Sequence, residues 1–152
     1  MVESNRHIME RYTREFLPAG DAALAEEFVS PDIVMYYPGQ PEQRGLDTLL
    51  ALVAANREAF PDLVWTVEQM AADGDTVAVR YTMTGTHRGT FAGVASTDKP
   101  VVAQSMAFYR LADGKIIEER PSSTCWESFS RSVPYRAHRN GLLFCHQWPT
   151  QL

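Results

Sequence analysis

The stretch VWTVEQMAADGDTVAVRYTMTGTHRGTFAGVASTDKPVVAQSMAFYRLADGKIIEER, Val64 to Arg120, decides the fold. It reads as four strands joined by turns. Asp73-Gly74 and Asp113-Gly114 each sit between alternating apolar runs, the strongest short-range hairpin signal. From Thr76 onward, Val77, Val79, Tyr81 and Met83 share one side, and Ala78, Arg80, Thr82 and Thr84 the other. Period two of that kind implies one buried face. If the strand continues through Gly85, His87 joins the Tyr81 face. The strand Val101 to Leu111 puts Ala103, Ser105, Ala107 and Tyr109 on one side. Val102, Gln104, Met106 and Phe108 lie on the other. Both sides are largely apolar, so this strand is expected to be covered twice, the second time by a partner subunit.

Upstream, the sequence is built to cover one face of this sheet. Asn5 to Phe16 places Ile8, Tyr12 and Phe16 four apart, an amphipathic helix with Ser4 or Asn5 as N-cap. Pro18 and Gly20 break it, and Asp21 caps a short second helix whose Leu24 and Phe28 share a face. Ser30-Pro31-Asp32 reads as a turn into a brief strand, Ile33 to Tyr37, which stops at Pro38-Gly39. A third helix, Leu46 to Phe60, carries Leu46, Leu49, Leu50, Val53 and Phe60 as an apolar stripe and ends at Pro61. Helices followed by a long antiparallel sheet is the α+β order. Three helices packed into a curved sheet predict a cone with an apolar pocket inside.

The bulk properties narrow the function. At 152 residues, 45% hydrophobic and 22% charged, the chain is read as one domain, residues 1–121, with an atypical extension over 122–152. The net charge is −5 and no basic stripe gathers the 14 Lys and Arg residues, which argues against a nucleic-acid partner. Cys125 and Cys145 lack CxxC spacing. They read as free thiols in a reducing cytosol, with a disulfide between them as the alternative. There is no leader pattern and no apolar run of membrane-spanning length, so the protein is read as cytoplasmic with no membrane partner. Scattered histidines and the lack of a Gly-rich phosphate loop predict neither metal nor cofactor.

From about Phe28 to Glu119 the chain resembles the SnoaL-like polyketide cyclases, in the superfamily typified by ketosteroid isomerase and scytalone dehydratase. The matching pieces are Tyr37-Pro38-Gly39, Gly45-Leu46, Ala59-Phe60-Pro61-Asp62, Gly85-Thr86-His87-Arg88-Gly89 and Asp113-Gly114-Lys115-Ile116-Ile117-Glu118-Glu119, in that order. The resemblance implies a cone-shaped α+β barrel, an oligomer, no cofactor, and aldol closure of aromatic polyketides, or hydroxylation of anthracyclines in one subgroup. It also implies a His where this chain has Ala107 and a catalytic Asp where it has Pro121. Neither Ala nor Pro can move a proton, so the resemblance's aldol chemistry does not carry over by those positions.

Other residues are candidates for the chemistry. His87 is read as a general base or a group that polarises a carbonyl, or else as a hydrogen-bonded structural residue at a strand end. Glu119, inward by parity, would have a raised pKa in an apolar pocket and could serve as base; the alternative is a solvated edge shared with Glu118. Tyr37, Tyr81, Met83, Ser105 and Tyr109 are the expected substrate-binding set. Adjacent strand residues alternate, so Tyr36 and Tyr37 cannot both line a pocket.

After Pro121 both periodicities disappear, and the two cysteines, His138 and His146 collect there. Either the gene has shifted frame relative to relatives, or a real extension wraps the sheet or a partner. The expected function is a cofactor-independent enzyme on an aromatic polyketide-like substrate, working by hydroxylation, isomerisation or dehydration, as a homodimer through the sheet. The alternatives are a non-catalytic carrier of hydrophobic metabolites and a dimerisation module with a filled core.

Overall fold

Two-residue turns close both hairpins of the decisive stretch. The structure, a computed structural model, describes residues 4–91 and 93–122. Strands β3 (Val64–Asp73), β4 (Thr76–Thr86), β5 (Pro100–Ala112) and β6 (Lys115–Pro121) run antiparallel in sequence order. Ala112 pairs with Lys115 across Asp113 and Gly114, whose φ values of 50° and 78° are those a type I′ turn requires. In the first hairpin Asp73 pairs with Thr76, so the central residues are Gly74 and Asp75 and only Gly74 has a positive φ.

The remaining strands are β1 (Val29–Met35) and β2 (Gln43–Arg44), giving the sheet order β2-β1-β6-β5-β4-β3. The expected first strand, Ile33 to Tyr37, is corrected by this. The strand begins at Val29, and Ser30-Pro31-Asp32 is an irregularity within it rather than a turn before it. Asp32 N–H donates to Ser30 Oγ at 3.2 Å, and the pairing with β6 shifts register between Val29 and Val34. Pro is tolerated at such a bulge because no ladder hydrogen bond is asked of it. β1 pairs with β6 in parallel, which makes β6 an interior strand. Further register shifts at Val67/Gln69 and Arg110/Leu111 are the sort of bulge that bends a sheet.

Three helical segments pack on one face. The first runs from α1 (Asn5–Arg11) through a π-type turn over Tyr12–Phe16 into α2 (Leu17–Ala19). Ser4 caps it, its Oγ accepting from His7 N–H at 3.3 Å. Pro18 does not break it as expected: Leu17 N–H reaches back to Tyr12 O in the wider π bonding, and Pro18 falls in the first turn of α2, where its missing donor is tolerated. Gly20, at φ 63°, ends the run. α3 (Ala22–Phe28) starts from Asp21, whose carboxylate accepts from Ala23 N–H at 2.7 Å. α4 (Leu46–Ala59) buries Leu49 and Leu52.

The principal core lies between these helices and the sheet. Met9, Phe16, Phe28, Ile33, Met35, Val77, Val79 and Ile116 are fully buried, each large side chain contributing about 2–3 kcal/mol relative to exposure. A second, smaller cluster of Ala59, Phe60 and Val101 closes the far end of β4 and β5. The expected parity holds on both central strands: Val77, Val79, Tyr81 and Met83 face the helices, as do Ala103, Ser105, Ala107 and Tyr109. The opposite side of β5 is open, with Val102, Met106 and Phe108 57%, 42% and 49% exposed. No described helix is long and apolar enough to cross a membrane. The readings of the extension, its frame and its cysteines fall outside the described residues.

Candidate functional site

Cross-strand register puts Tyr109 directly opposite Glu119 on β5 and β6. Glu119 is fixed on its other side as well, since it pairs with Met35 of β1 and its carbonyl accepts from Tyr36 N–H at 3.0 Å. Its side chain is half-buried on the tyrosine-lined face, and burial pushes its pKa up to about 7; a hydrogen bond from the Tyr109 phenol opposes that rise. The Tyr81 phenol in turn donates to Tyr109 Oη at 3.1 Å. Two phenols and a carboxylate thus form one hydrogen-bonded chain.

Four tyrosines surround this carboxylate. The phenols of Tyr12, Tyr37, Tyr81 and Tyr109 are all held above their ordinary range, by burial first and also by the Glu119 charge. They remain protonated. Tyr12 crosses Tyr109 edge to face at 6.0 Å and Phe28 at 6.2 Å, while Trp65 meets Tyr81 at 5.6 Å. Tyr36 points the other way, its ring under the Arg120 guanidinium at 3.7 Å.

Of the expected site residues, Glu119, Tyr37, Tyr81 and Tyr109 come together, and Met83 and Ser105 lie buried on the same face. His87 is placed elsewhere. It lies just past the end of β4, fully buried against Phe60 at a ring distance of 5.5 Å, with Nδ1 3.1 Å from Thr97 Oγ1. Its main chain accepts from Thr97 and Asp98 N–H and donates to Lys99 O, so it stitches the residue 88–99 loop to the second core cluster. Burial lowers its pKa. Asp62 also anchors this end by accepting from Thr86 N–H and Oγ1, each at 2.7 Å.

Tyr12 and Trp65 were not among the expected site residues. Tyr12 was read only as part of the apolar stripe of the first helix; a phenol in such a stripe is the signal that could have found it, because a buried tyrosine needs a polar neighbour. The two positions where the resemblance implies a His and an Asp, Ala107 and Pro121, are themselves direct register partners, one inward step from Tyr109 and Glu119. Among the described residues no group of three His, Cys, Asp or Glu gathers as a metal site would.

The family model for SnoaL-like polyketide cyclases matches residues 7–122. Among solved structures, the chain is similar to AclR from Streptomyces galilaeus, a proposed hydroxylase, at 30% identity and TM-score 0.66, covering 76% of this chain and 84% of that one. It is similar to IdmH from Streptomyces antibioticus, a proposed polyketide cyclase, at 26% identity and TM-score 0.68, covering 81% and 96%. A proposed SnoaL-like polyketide cyclase from Jannaschia sp. CCS1 shares the fold at 22% identity and TM-score 0.75, covering 87% and 96%. No curated protein matches the chain.

Proposed function

The chain belongs to the SnoaL-like polyketide cyclase family, and from that premise we propose that it is a cofactor-independent enzyme transferring a proton at a carbon beside a carbonyl of an aromatic polyketide-like molecule. The base is Glu119. The observation that carries this reading is the Glu119 carboxyl itself, held near pKa 7 in an aromatic surround and hydrogen-bonded by Tyr109. A base poised near the working pH combines availability with proton affinity.

The hydrogen-bonded chain supplies the other half of the chemistry. With Glu119 ionised, the Tyr109 proton is committed to the carboxylate and the Tyr81 proton to Tyr109. When Glu119 takes the substrate proton, its demand on Tyr109 ends. The chain can then reverse, freeing the Tyr81 O–H for the oxygen on which negative charge has developed. Base and oxyanion donor are linked, so charge moving from Glu119 to the enolate meets a donor as it forms. His87, in the second core cluster, holds structure in this scheme.

Neither Ala107 nor Pro121 can carry a proton where the resemblance implies a His and an Asp, which favours isomerisation or dehydration over aldol closure. The similarity to AclR, a proposed hydroxylase, favours a second reading: the carbanion of a ring CH2 adds molecular oxygen, and the hydroperoxide so formed loses water to leave a carbonyl that enolises to the ring hydroxyl. The protein would act in the cytoplasm on intermediates of antibiotic biosynthesis, as a homodimer joined through the outer sheet face.

Exchange chemistry tests the reading without the natural substrate. Incubation of fused aromatic ketones with an acidic α-hydrogen in D2O should give enzyme-dependent deuterium uptake by mass spectrometry. Glu119→Gln should slow it by about 10²-fold or more. Uptake at the same rate in Glu119→Gln would overturn the assignment. Oxygen consumption during the same incubation decides between the two readings.

A further inference from the structure

His87 is where the loop after β4 both leaves the sheet and comes back to it. Its N–H donates to Lys99 O at 3.0 Å, and its carbonyl accepts from Thr97 and Asp98 N–H at 3.2 and 2.9 Å. The side chain repeats the connection: Nδ1 lies 3.1 Å from Thr97 Oγ1, and the Gly89 main chain also hydrogen-bonds the ring. One residue thus holds both legs of the loop. The returning leg is held under strain, since Asp98 sits at φ 53°, in the left-handed region that non-glycine residues seldom adopt.

The imidazole at this joint is fully buried, its ring 5.5 Å from that of Phe60. A neutral ring suits that place, whereas a charged one loses its water and gains little in return. The charged residues on the elements around it are Arg88, Asp98 and Lys99 of the loop, Glu58 of α4 and Asp62 in the turn after α4. All five are solvent-exposed, and Asp62 is engaged by Thr86. Burial lowers the His87 pKa below its ordinary 6.5, outweighing the Gly89 main chain and the Asp98 charge, which both favour the imidazolium.

We propose that His87 is an acid-sensitive clasp: neutral, it holds residues 97–99 on the end of β4, and protonated, it lets them go. The clasped state binds the proton more weakly than the released one. The clasp is therefore at full strength above about 6.5 and weakens as the pH falls below that value. Release relaxes Asp98 and loosens the cover over Phe60 and Val101. The next inward rung on the same face is Met83–Ala103. Acid thus opens the helix-facing side of the sheet from the end of β4 away from Val77, Tyr109 and Glu119. The clasp stands whether or not Glu119 is a base.

Amide hydrogen exchange on the full chain, followed by NMR and corrected for the intrinsic pH dependence of exchange, tests this. Protection of the Thr97 and Asp98 amides should fall about threefold to tenfold between pH 7.5 and 5.5. The Val77 and Val79 amides of β4 should keep theirs. In His87→Gln, whose side chain stays neutral, protection at Thr97 and Asp98 should not change with pH. Constant protection in the wild type, an equal loss at Val77 and Val79, or the same pH dependence in folded His87→Gln each overturns the proposal. If His87→Gln does not fold, the wild type decides alone. On titration its His87 ring and Thr97 amide signals should share one midpoint below 6.5, and separate midpoints overturn the clasp.

Discussion

Tyr109 and Glu119 face each other across the β5–β6 ladder, the phenol of one donating to the carboxylate of the other. The next inward rung is Ala107–Pro121. The titratable pair therefore sits one same-face step from the rung where the resemblance implies a His and an Asp. A one-step displacement keeps the side chains on the same face, which a shift by one residue would not. The sheet can keep its helix-facing site while its chemistry changes.

Glu119 should make stability depend on pH with a definite sign. Its folded pKa of about 7 exceeds the ordinary carboxylate value of 4.5. The folded state therefore binds the proton more tightly than the unfolded chain. Its contribution to stability is full below 4.5 and is lost as pH rises through about 7. Glu119→Gln removes that loss and should stabilise the protein at pH 8 by about 2–3 kcal/mol more than it does at pH 4.5. Urea unfolding at the two pH values measures the difference, and a pH-independent effect would count against a buried Glu119 carboxyl.

Two conservative tyrosine variants should separate along the hydrogen-bonded chain. The Tyr109 hydrogen bond holds the Glu119 pKa down against burial, so Tyr109→Phe should move the midpoint of the deuterium-uptake profile upward by about one pH unit. Tyr81→Phe does not touch the carboxylate. It should leave the midpoint near 7 and lower the plateau rate by about tenfold or more, through loss of the oxyanion donor. Equal shifts in the two variants would show that the phenols do not act in sequence.

Local pattern exposed some of this arrangement and hid the rest. Period two assigned the inward faces of β4 and β5 residue by residue, and Asp113-Gly114 marked a turn that needs positive φ at both central positions. Whether Glu119 was interior or a solvated edge depended on β1 pairing with β6 in parallel. That is a contact between distant segments and leaves no local signature. Parity read His87 as sharing the Tyr81 side if the strand ran on through Gly85, and β4 does run to Thr86. What parity could not say is that Phe60 and the 88–99 loop enclose it in a separate compartment. Ser30-Pro31-Asp32 has turn chemistry, and the chain spends it on a bulge within β1.

Gly89 should be intolerant of any side chain. A Cβ there would come within 2.4 Å of Glu58 O and 3.0 Å of Ala59 Cα, both backbone atoms that cannot swing aside. The close approach exists because Arg88 and Gly89 N–H groups both donate to Ala59 O, at 2.9 and 3.1 Å, tying the loop to the end of α4. Gly89→Ala should cost about 1–3 kcal/mol, as overpacking does, and should speed proteolysis within residues 88–99. A thermal midpoint equal to wild type would show that the loop can move off α4 freely.

The outer face of β5 makes the last prediction. Val102, Met106 and Phe108 project from it, and Val64 on β3, 55% exposed, extends the strip through the Val64–Thr84–Val102 rung. Charged groups flank the strip: Arg110 pairs with Glu118 at 3.3 Å, and Glu118 also pairs with Arg120 at 2.5 Å. An apolar centre within a charged rim is the anatomy of a protein interface. A second copy related by a two-fold axis can lay the same strip against itself. Sedimentation of the wild type at micromolar concentration should therefore show a dimer. Phe108→Glu puts a charge at the centre of the strip, on a side chain already half exposed in the protomer, so the fold should survive while the dimer is lost. The expected result is a folded monomer with an unchanged circular dichroism spectrum. A wild type that sediments as a monomer, or a Phe108→Glu variant that remains a dimer, would place any association elsewhere on the surface.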